Sequence, residues 1–247
     1  MTGASDGIGR AFVDQLAAEG FNVVLHGRNY EKLSQVVLEL EGLFPQRSFK
    51  VVVADANKVA CVSCLTHHSE GLDRAAPLDF AAIKKELDGI NLTVLINNAG
   101  GNPSPPFFVP LKDKAEVKII ENVSLNALFP LHLTRALLPN LIRDAPSLLI
   151  NVGSMADEGL PLTATYGASK QFLMTLTNAV HREMAMNSGT DVEILGIQAG
   201  RVTGVARYKE RASFFVLDTK AFAKAALAHA GHRGGIVEGT GRISCSN

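Results

Sequence analysis

Short runs of aliphatic and β-branched residues alternate along this chain with longer stretches whose apolar positions recur every three to four residues. The runs at 22–26, 49–54, 92–96, 148–152, 192–198 and 235–238 are mostly apolar on both faces, as parallel strands buried on both sides are. Helical periodicity fills the intervals: 8–19 closed by Gly20, 30–43 closed near Pro45, 115–138 ending before Pro139, then 166–187 and 219–229. In the first of these, Val13, Leu16 and Ala17 fall on one stripe. Such alternation predicts an α/β fold with a parallel sheet and covering helices. No internal repeat or Pro/Ser-rich linker interrupts it, so residues 1–247 are expected to form a single domain.

Composition narrows the function classes. A chain of 247 residues can bury roughly three quarters of its unfolded surface, so a substantial core is expected. Its 24 basic and 24 acidic residues cancel, which removes the general basic field of a nucleic-acid binder. With 47% hydrophobic and 19% charged residues, disorder is excluded as well. No apolar run approaches the length of a membrane span. Met1-Thr2-Gly3-Ala4-Ser5-Asp6-Gly7 is small and polar where the apolar core of a signal peptide would stand. Three cysteines, an odd number, fit a reducing compartment. The expectation is a cytoplasmic globular protein with no nucleic-acid partner.

Thr2-Gly3-Ala4-Ser5-Asp6-Gly7-Ile8-Gly9 opens directly into the first helix. Glycines let a backbone approach a pyrophosphate, and a helix amino terminus offers unpaired N–H groups with a positive dipole end. Gly3, Ser5, Asp6, Ile8 and Gly9 are the candidate contacts; an ordinary turn with a helix cap is the competing reading. The next predicted strand ends in Leu25-His26-Gly27-Arg28-Asn29, where an NAD-binding protein carries a ribose-binding acid. Gly27 is no acid, and Arg28 supplies a guanidinium suited to a 2′-phosphate. NADP(H) is the predicted cofactor, with Arg10 read as a solvated helix residue. In a doubly wound sheet this kind of loop follows a buried strand, yet only Met1 and Thr2 precede Gly3. A truncated first strand is therefore expected, its lane filled from upstream, filled by another segment, or left open at a cost to folding.

Tyr166-Gly167-Ala168-Ser169-Lys170 puts a phenol and an ammonium four residues apart on one helix face. A phenol of ordinary pKa is a poor acid–base catalyst at neutral pH, but a neighbouring cation favours its phenolate. Taken alone, the pair also fits a solvated helix face.

The glycine pattern, Asn97-Asn98-Ala99-Gly100 after one strand, Ser154 after the next, and Tyr166 with Lys170 together resemble the short-chain dehydrogenase/reductase family. The resemblance covers nearly the whole chain. Residues 2–33 and 122–139 are most similar to the branch holding 17β-hydroxysteroid dehydrogenases and 3-oxoacyl-CoA reductases. The resemblance implies a Rossmann-like, doubly wound single domain in which Tyr166 donates a proton to a carbonyl oxygen while NADPH delivers hydride to its carbon. It implies that Lys170 holds the nicotinamide ribose and lowers the tyrosine pKa, that Ser154 hydrogen-bonds the same carbonyl, and that Asn126 anchors a water in the proton relay. Asp55 matches the adenine-contacting acid. Asn98 and Ala99 match the segment lining the adenosine ribose, although for Asn97, Asn98 and Gly100 a purely structural role is an equal reading.

Three departures from the family pattern stand out. Ser154 precedes Tyr166 by twelve residues, one fewer than usual, and a gapless alignment would place Gly153 at the serine position. After the sixth predicted strand, Ala199-Gly200-Arg201-Val202-Thr203 replaces the usual Pro-Gly, leaving Thr203 as the candidate carboxamide or phosphate contact. Residues 58–76 form an atypical insertion whose Cys61, Cys64, His67 and His68 have zinc-like spacing. Without apolar periodicity to build a metal module, a surface loop is favoured and no metal is expected. Translated intervening sequence is a further reading of that segment.

Residues 102–110 and 205–217, the latter with Tyr208, Phe214, Phe215, Arg207, Lys209 and Arg211, are expected to shape the substrate side. They suit an apolar ketone of steroid, polyketide or 3-oxoacyl type. The helices at 115–138 and 166–187 resemble those that pair subunits in the family, implying a homodimer or homotetramer. Endoplasmic reticulum association would follow if an upstream anchor has been lost. The competing class is a non-catalytic NADP-binding or scaffold protein, a truncated remnant of the family.

Overall fold

A computed structural model describes residues 1–59, 78–102, 106–187, 189–205, 211, 216–232 and, for the backbone, 236–239. The six predicted strands are present within two residues of their expected ends: β1 Val23–Gly27, β2 Phe49–Val53, β3 Val94–Asn97, β4 Ser147–Ser154, β5 Val192–Ala199 and β8 Ile236–Gly239. Two short strands, β6 Val202–Thr203 and β7 Leu217–Asp218, pair in parallel beyond β5. β1 pairs with β2, and β3, β4, β5 and β8 pair in that order, every pairing parallel.

The two sheets are joined through the lane expected to be short of a strand. Thr2 bridges His26 in parallel, its N–H donates to the Ile96 carbonyl at 3.0 Å, and the His26 N–H donates to the Met1 carbonyl at 3.0 Å. The main-chain lane between β1 and β3 is thus carried by Met1 and Thr2. Among the described residues no other segment enters it.

Alternation along the strands sends successive side chains to opposite faces, which builds two cores. Leu148, Ile150 and Val152 of β4 meet one face, covered by α1 Gly7–Ala18, α2 Tyr30–Leu43 and α7 Thr219–Ala228. Leu149 meets the other, covered by α3 Phe80–Leu87, α5 Phe129–Arg143 and α6 Ala164–Met186. Helices on both faces of a parallel sheet make the fold doubly wound.

Two helical expectations need correction. The stretch 115–138 is α4 Glu116–Val123, a π turn Ser124–Leu128 and α5. The cause is local: the Asn126 side-chain amide donates to the Asn122 carbonyl at 2.9 Å, taking the acceptor that an α-helical N–H would have used. Nor does the helix stop before Pro139, because Leu133, Leu137 and Leu141 continue one buried stripe across it. Burial of that stripe outweighs the roughly 3 kcal/mol cost of an internal proline. Helix α3, which sequence reading left inside the long segment after Asp55, is started by Asp79, whose carboxylate accepts from the N–H groups of Ala81 and Ala82.

His26 of β1 is buried and stacked on Phe129, ring centroids 4.9 Å apart. Burial pushes its pKa down to about 4, opposed only in part by the Ala54 main chain and the Asp55 charge. The folded state therefore holds a neutral imidazole, whereas the unfolded chain takes up a proton near pH 6.5. This part of the stability is full above pH 6.5 and is lost as the pH falls toward 4, to a total of about 3 kcal/mol. Urea unfolding at several pH values should show that loss in the wild type and a flatter profile over the same window in His26→Leu; identical profiles would contradict it.

Candidate active site

The parallel strands all end on one edge, and the predicted site residues follow those ends. The loop from Thr2 to Gly9 folds tightly on itself. Gly3 and Gly7 have positive φ (67° and 56°), and a Cβ on Gly9 would lie 1.8 Å from the Gly3 carbonyl oxygen. Only glycine fits there. Asp6 caps α1, its carboxylate accepting from the Gly7 N–H at 2.7 Å, and no acidic side chain occupies the first turn of the helix. Ser5 and Ile8 are half-buried in the same loop. Arg10 turns away, bound to Asp14 at 2.8 Å and Glu39 at 2.7 Å.

Arg28 follows β1 and is exposed; beside it Asn29 caps α2 by accepting from the Lys32 N–H. In the neighbouring lane Asp55 follows β2, its Oδ1 accepting from the N–H and the side-chain amide of Asn57. Pairing of Gly27 with Val53 brings Arg28 and Asp55 to adjacent positions on the edge.

Thr2 gathers the next group. Its hydroxyl donates to the Ile96 carbonyl and accepts from the N–H groups of Asn98 and Ala99 at 2.9 Å each, while the Asn98 amide donates to the Thr2 carbonyl. Asn98 and Ala99 thus brace the glycine loop. Asn97 lies beneath, donating to Thr134 and Asn151, and serves the core.

Lys170 is buried on α6, and its Nζ donates to the Val152 carbonyl at 2.8 Å. Burial pushes its pKa down to about 8, opposed by the charge of Asp157. A Cβ placed on Gly100 would stand 2.8 Å from Lys170 Nζ and 2.9 Å from Asn126 Oδ1, so the glycine lets ammonium and amide close around it. Asn126 is fixed from three sides, accepting from the Gly101 N–H and donating to the Gly101 and Asn122 carbonyls. Tyr166 sits half-buried one turn before Lys170 on the same helix.

Ser154 closes β4, its Oγ accepting from the Ala156 N–H at 3.2 Å. At Gly153 a Cβ would meet Met174 Sδ at 2.8 Å, so the glycine lets Met174 of α6 pack closely on β4. The turn after Ser154, Met155–Glu158, presses on the start of α6: a Cβ on Gly167 would lie 2.5 Å from the Ala156 oxygen. Thr203 is buried in the β6–β7 pair.

Sequence reasoning missed Thr2, Gly167 and Asp157. For Thr2 the signal was its place directly before the glycines; Asp157 stands inside the Ser154 to Tyr166 interval already marked as short, and Gly167 directly after it. Cys61, Cys64, His67 and His68, and Arg207, Tyr208, Lys209, Phe214 and Phe215, lie outside the described residues, and Arg211 is exposed. Among the described residues no group of His, Cys, Asp and Glu could hold a metal ion, and no helix is long and apolar enough to cross a membrane.

This geometry sets a glycine-rich loop and the amino terminus of α1 on the same sheet edge as a Tyr–Lys pair. The short chain dehydrogenase profile matches residues 1–213, and the chain belongs to that family. A very-long-chain 3-oxoacyl-CoA reductase from Aspergillus terreus (strain NIH 2624 / FGSC A1156) is 31% identical over 238 residues, covering 95% of this chain and 61% of that protein. The chain thus spans about six-tenths of the length of the curated relatives it matches. Among solved structures, the short-chain dehydrogenase from Sphingobium yanoikuyae in complex with NADPH aligns with a TM-score of 0.76 at 20% identity, covering 96% of this chain and 85% of that one. The bulky-bulky ketone specific alcohol dehydrogenase from Comamonas testosteroni aligns equally, with a TM-score of 0.76 at 20% identity over 97% of this chain and 84% of that one. Both show the fold.

The contact at Gly167 is directly testable. Gly167→Ala must push the Ala156 carbonyl aside and should cost about 1–3 kcal/mol in denaturant unfolding. Gly89→Ala, where a Cβ meets nothing within 4 Å, serves as the control and should change stability by less than about 0.5 kcal/mol.

Proposed function

We propose that this chain is an NADPH-dependent ketone reductase, reversible as an alcohol dehydrogenase, acting on an apolar substrate of steroid, polyketide or 3-oxoacyl type. The observation that carries the reading is the buried Lys170 ammonium, joined to Asn126 around Gly100 and one turn from Tyr166, beside a loop shaped for a pyrophosphate. The residues present fit a reduced dinucleotide. Gly3 and Gly9 let the loop close on itself and on Asn98 and Ala99 where a side chain would force it apart, and beyond the Asp6 cap no acid stands in the first turn of α1. Arg28 stands exposed where a ribose-binding acid would select NAD. In this reading Gly3, Ser5, Asp6, Ile8 and Gly9 meet the pyrophosphate, Arg28 the 2′-phosphate, Asp55 the adenine, Asn98 and Ala99 the adenosine ribose, and Thr203 the carboxamide.

When bound, NADPH supplies hydride to the carbonyl carbon. Ser154 hydrogen-bonds the carbonyl oxygen and orients it toward Tyr166, whose phenol gives its proton to that oxygen. The phenolate left behind is stabilised by the Lys170 ammonium, which also holds the ribose hydroxyls, and Asn126 anchors the water that returns a proton. The name of the Aspergillus terreus relative supports the 3-oxoacyl choice, and the NADPH bound by the Sphingobium yanoikuyae structure supports the cofactor choice. Exposed Val117 and Ile120 on α4 suit a homodimer or homotetramer. Cytoplasmic residence, or association with the endoplasmic reticulum, belongs to the same proposal, as does a single domain over 1–247 with 58–76 inserted.

Tyr166→Phe should lower turnover of an apolar ketone by about 10²–10⁴-fold, followed by loss of NADPH absorbance, while NADPH still binds by fluorescence titration. A wild-type preparation that binds NADPH yet turns over no ketone in a broad panel would instead favour the non-catalytic reading. Arg28→Ala should weaken NADPH binding by about tenfold or more and leave NADH binding almost unchanged; equal losses for both would remove Arg28 from the 2′-phosphate.

A further inference from the structure

Asp157 is a charged residue that none of the sequence motifs absorbed. It lies in the turn Met155–Glu158, between Ser154 and Tyr166, and is 7% exposed. One carboxylate oxygen accepts from Gln198 Nε2 at 2.8 Å; the other is buried and has no hydrogen-bond partner among the described residues. A buried carboxylate left half satisfied is costly unless an opposite charge compensates it.

The compensating charge is placed by the sheet. Gln198 of β5 is in register with Gly153 of β4, so both residues point to the same face, the one where Met174 of α6 packs against Gly153. Lys170 reaches that face one turn earlier on α6 and donates to the carbonyl of Val152, the residue before Gly153. The turn carrying Asp157 is pressed onto the same helix at Gly167. Carboxylate and ammonium are therefore both buried on the same face of the sheet at the carboxyl end of β4.

We propose that Asp157, tethered by Gln198, is a positioning residue, the counter-charge that keeps the Lys170 side chain protonated inside the protein. Its effect on turnover rests on the function proposed above, through the stabilised Tyr166 phenolate; the protonation of Lys170 does not.

Among the described residues, the groups placed around Lys170 are Tyr166 one turn earlier on its own helix, Asn126 from the π turn, Gly100 from the segment after β3, the Val152 carbonyl from β4, and Asp157 from the turn. Of these only Asp157 and Tyr166 titrate. Burial works against the ammonium and Asp157 works for it.

The test is a titration of Lys170 itself in the full chain labelled with [ε-13C]lysine, its resonance assigned by loss in Lys170→Met. The wild-type midpoint is expected near 8. Asp157→Asn keeps an acceptor for Gln198 and deletes only the charge, and should lower the midpoint by about one pH unit or more. Asp157→Glu restores the charge and should return it toward the wild-type value. If Asp157→Asn does not fold, Asp157→Ser makes the same charge deletion with room for a water. An unmoved midpoint in the charge-deleted variant overturns the proposal, and so does a shift in Asp157→Glu as large as in Asp157→Asn, since geometry and not charge would then be responsible. Either result leaves the proposed reductase function standing, and failure of that function leaves the titration result standing.

Discussion

An ammonium held inside the protein by a main-chain carbonyl is the interaction around which the edge of this sheet is organised. Lys170 donates to the Val152 carbonyl and so ties α6 to the central strand at the point where β4 leaves the core. Removing a cation from water costs several kcal/mol, and that cost has to be offset locally. The Val152 carbonyl accepts from the ammonium, and Asn126 Oδ1 stands with it around Gly100. Once Lys170 is fixed, helical geometry leaves Tyr166 no freedom of placement, because a residue four positions earlier on the same helix lies directly above it. The placement of Tyr166 beside Lys170 is thus a consequence of one buried charge and the period of a helix.

A second constraint acts across the sheet. Between β1 and β3 the ladder is carried by Met1 and Thr2, and Thr2 uses every polar atom it has: its N–H and hydroxyl on Ile96, its hydroxyl again on Asn98 and Ala99, and its carbonyl on the Asn98 amide. The glycine loop begins at the next residue, so its position is inherited from those bonds. Gly9, packed against the Gly3 carbonyl, then sets where α1 starts. A loop suited to a pyrophosphate therefore depends on a few main-chain contacts more than on the side chains of the loop.

Much of this was legible in the sequence, and the boundary of legibility has a physical cause. Strands buried on both faces announce themselves as apolar runs, so the six main lanes were readable, as was the amphipathic stripe of α1. Tyr166 and Lys170, a matter of helical period, were readable too. The π turn was not, because the bond that creates it runs from a side chain, Asn126, to a carbonyl four residues earlier, and no hydrophobic pattern encodes that. Pro139 misled for the opposite reason, as its local rule is real but weaker than the buried stripe of Leu133, Leu137 and Leu141. Asn97 was ambiguous in sequence, and its two bonds to Thr134 and Asn151 place it with the core.

The short interval between Ser154 and Tyr166 joins several of these observations. The chain crosses from β4 to α6 by a tight path, visible as the Ala156 carbonyl resting against the helix. A side chain at position 167 would block it, which accounts for a glycine inside a long helix where glycine otherwise costs about 1 kcal/mol. The same path carries Asp157 into the protein, where Gln198 can reach it. Ser154 ends a register of β4 with β5 that runs unbroken from Ser147, so the sheet sets where the strand stops, and the close contact at Gly167 sets how the turn meets the helix.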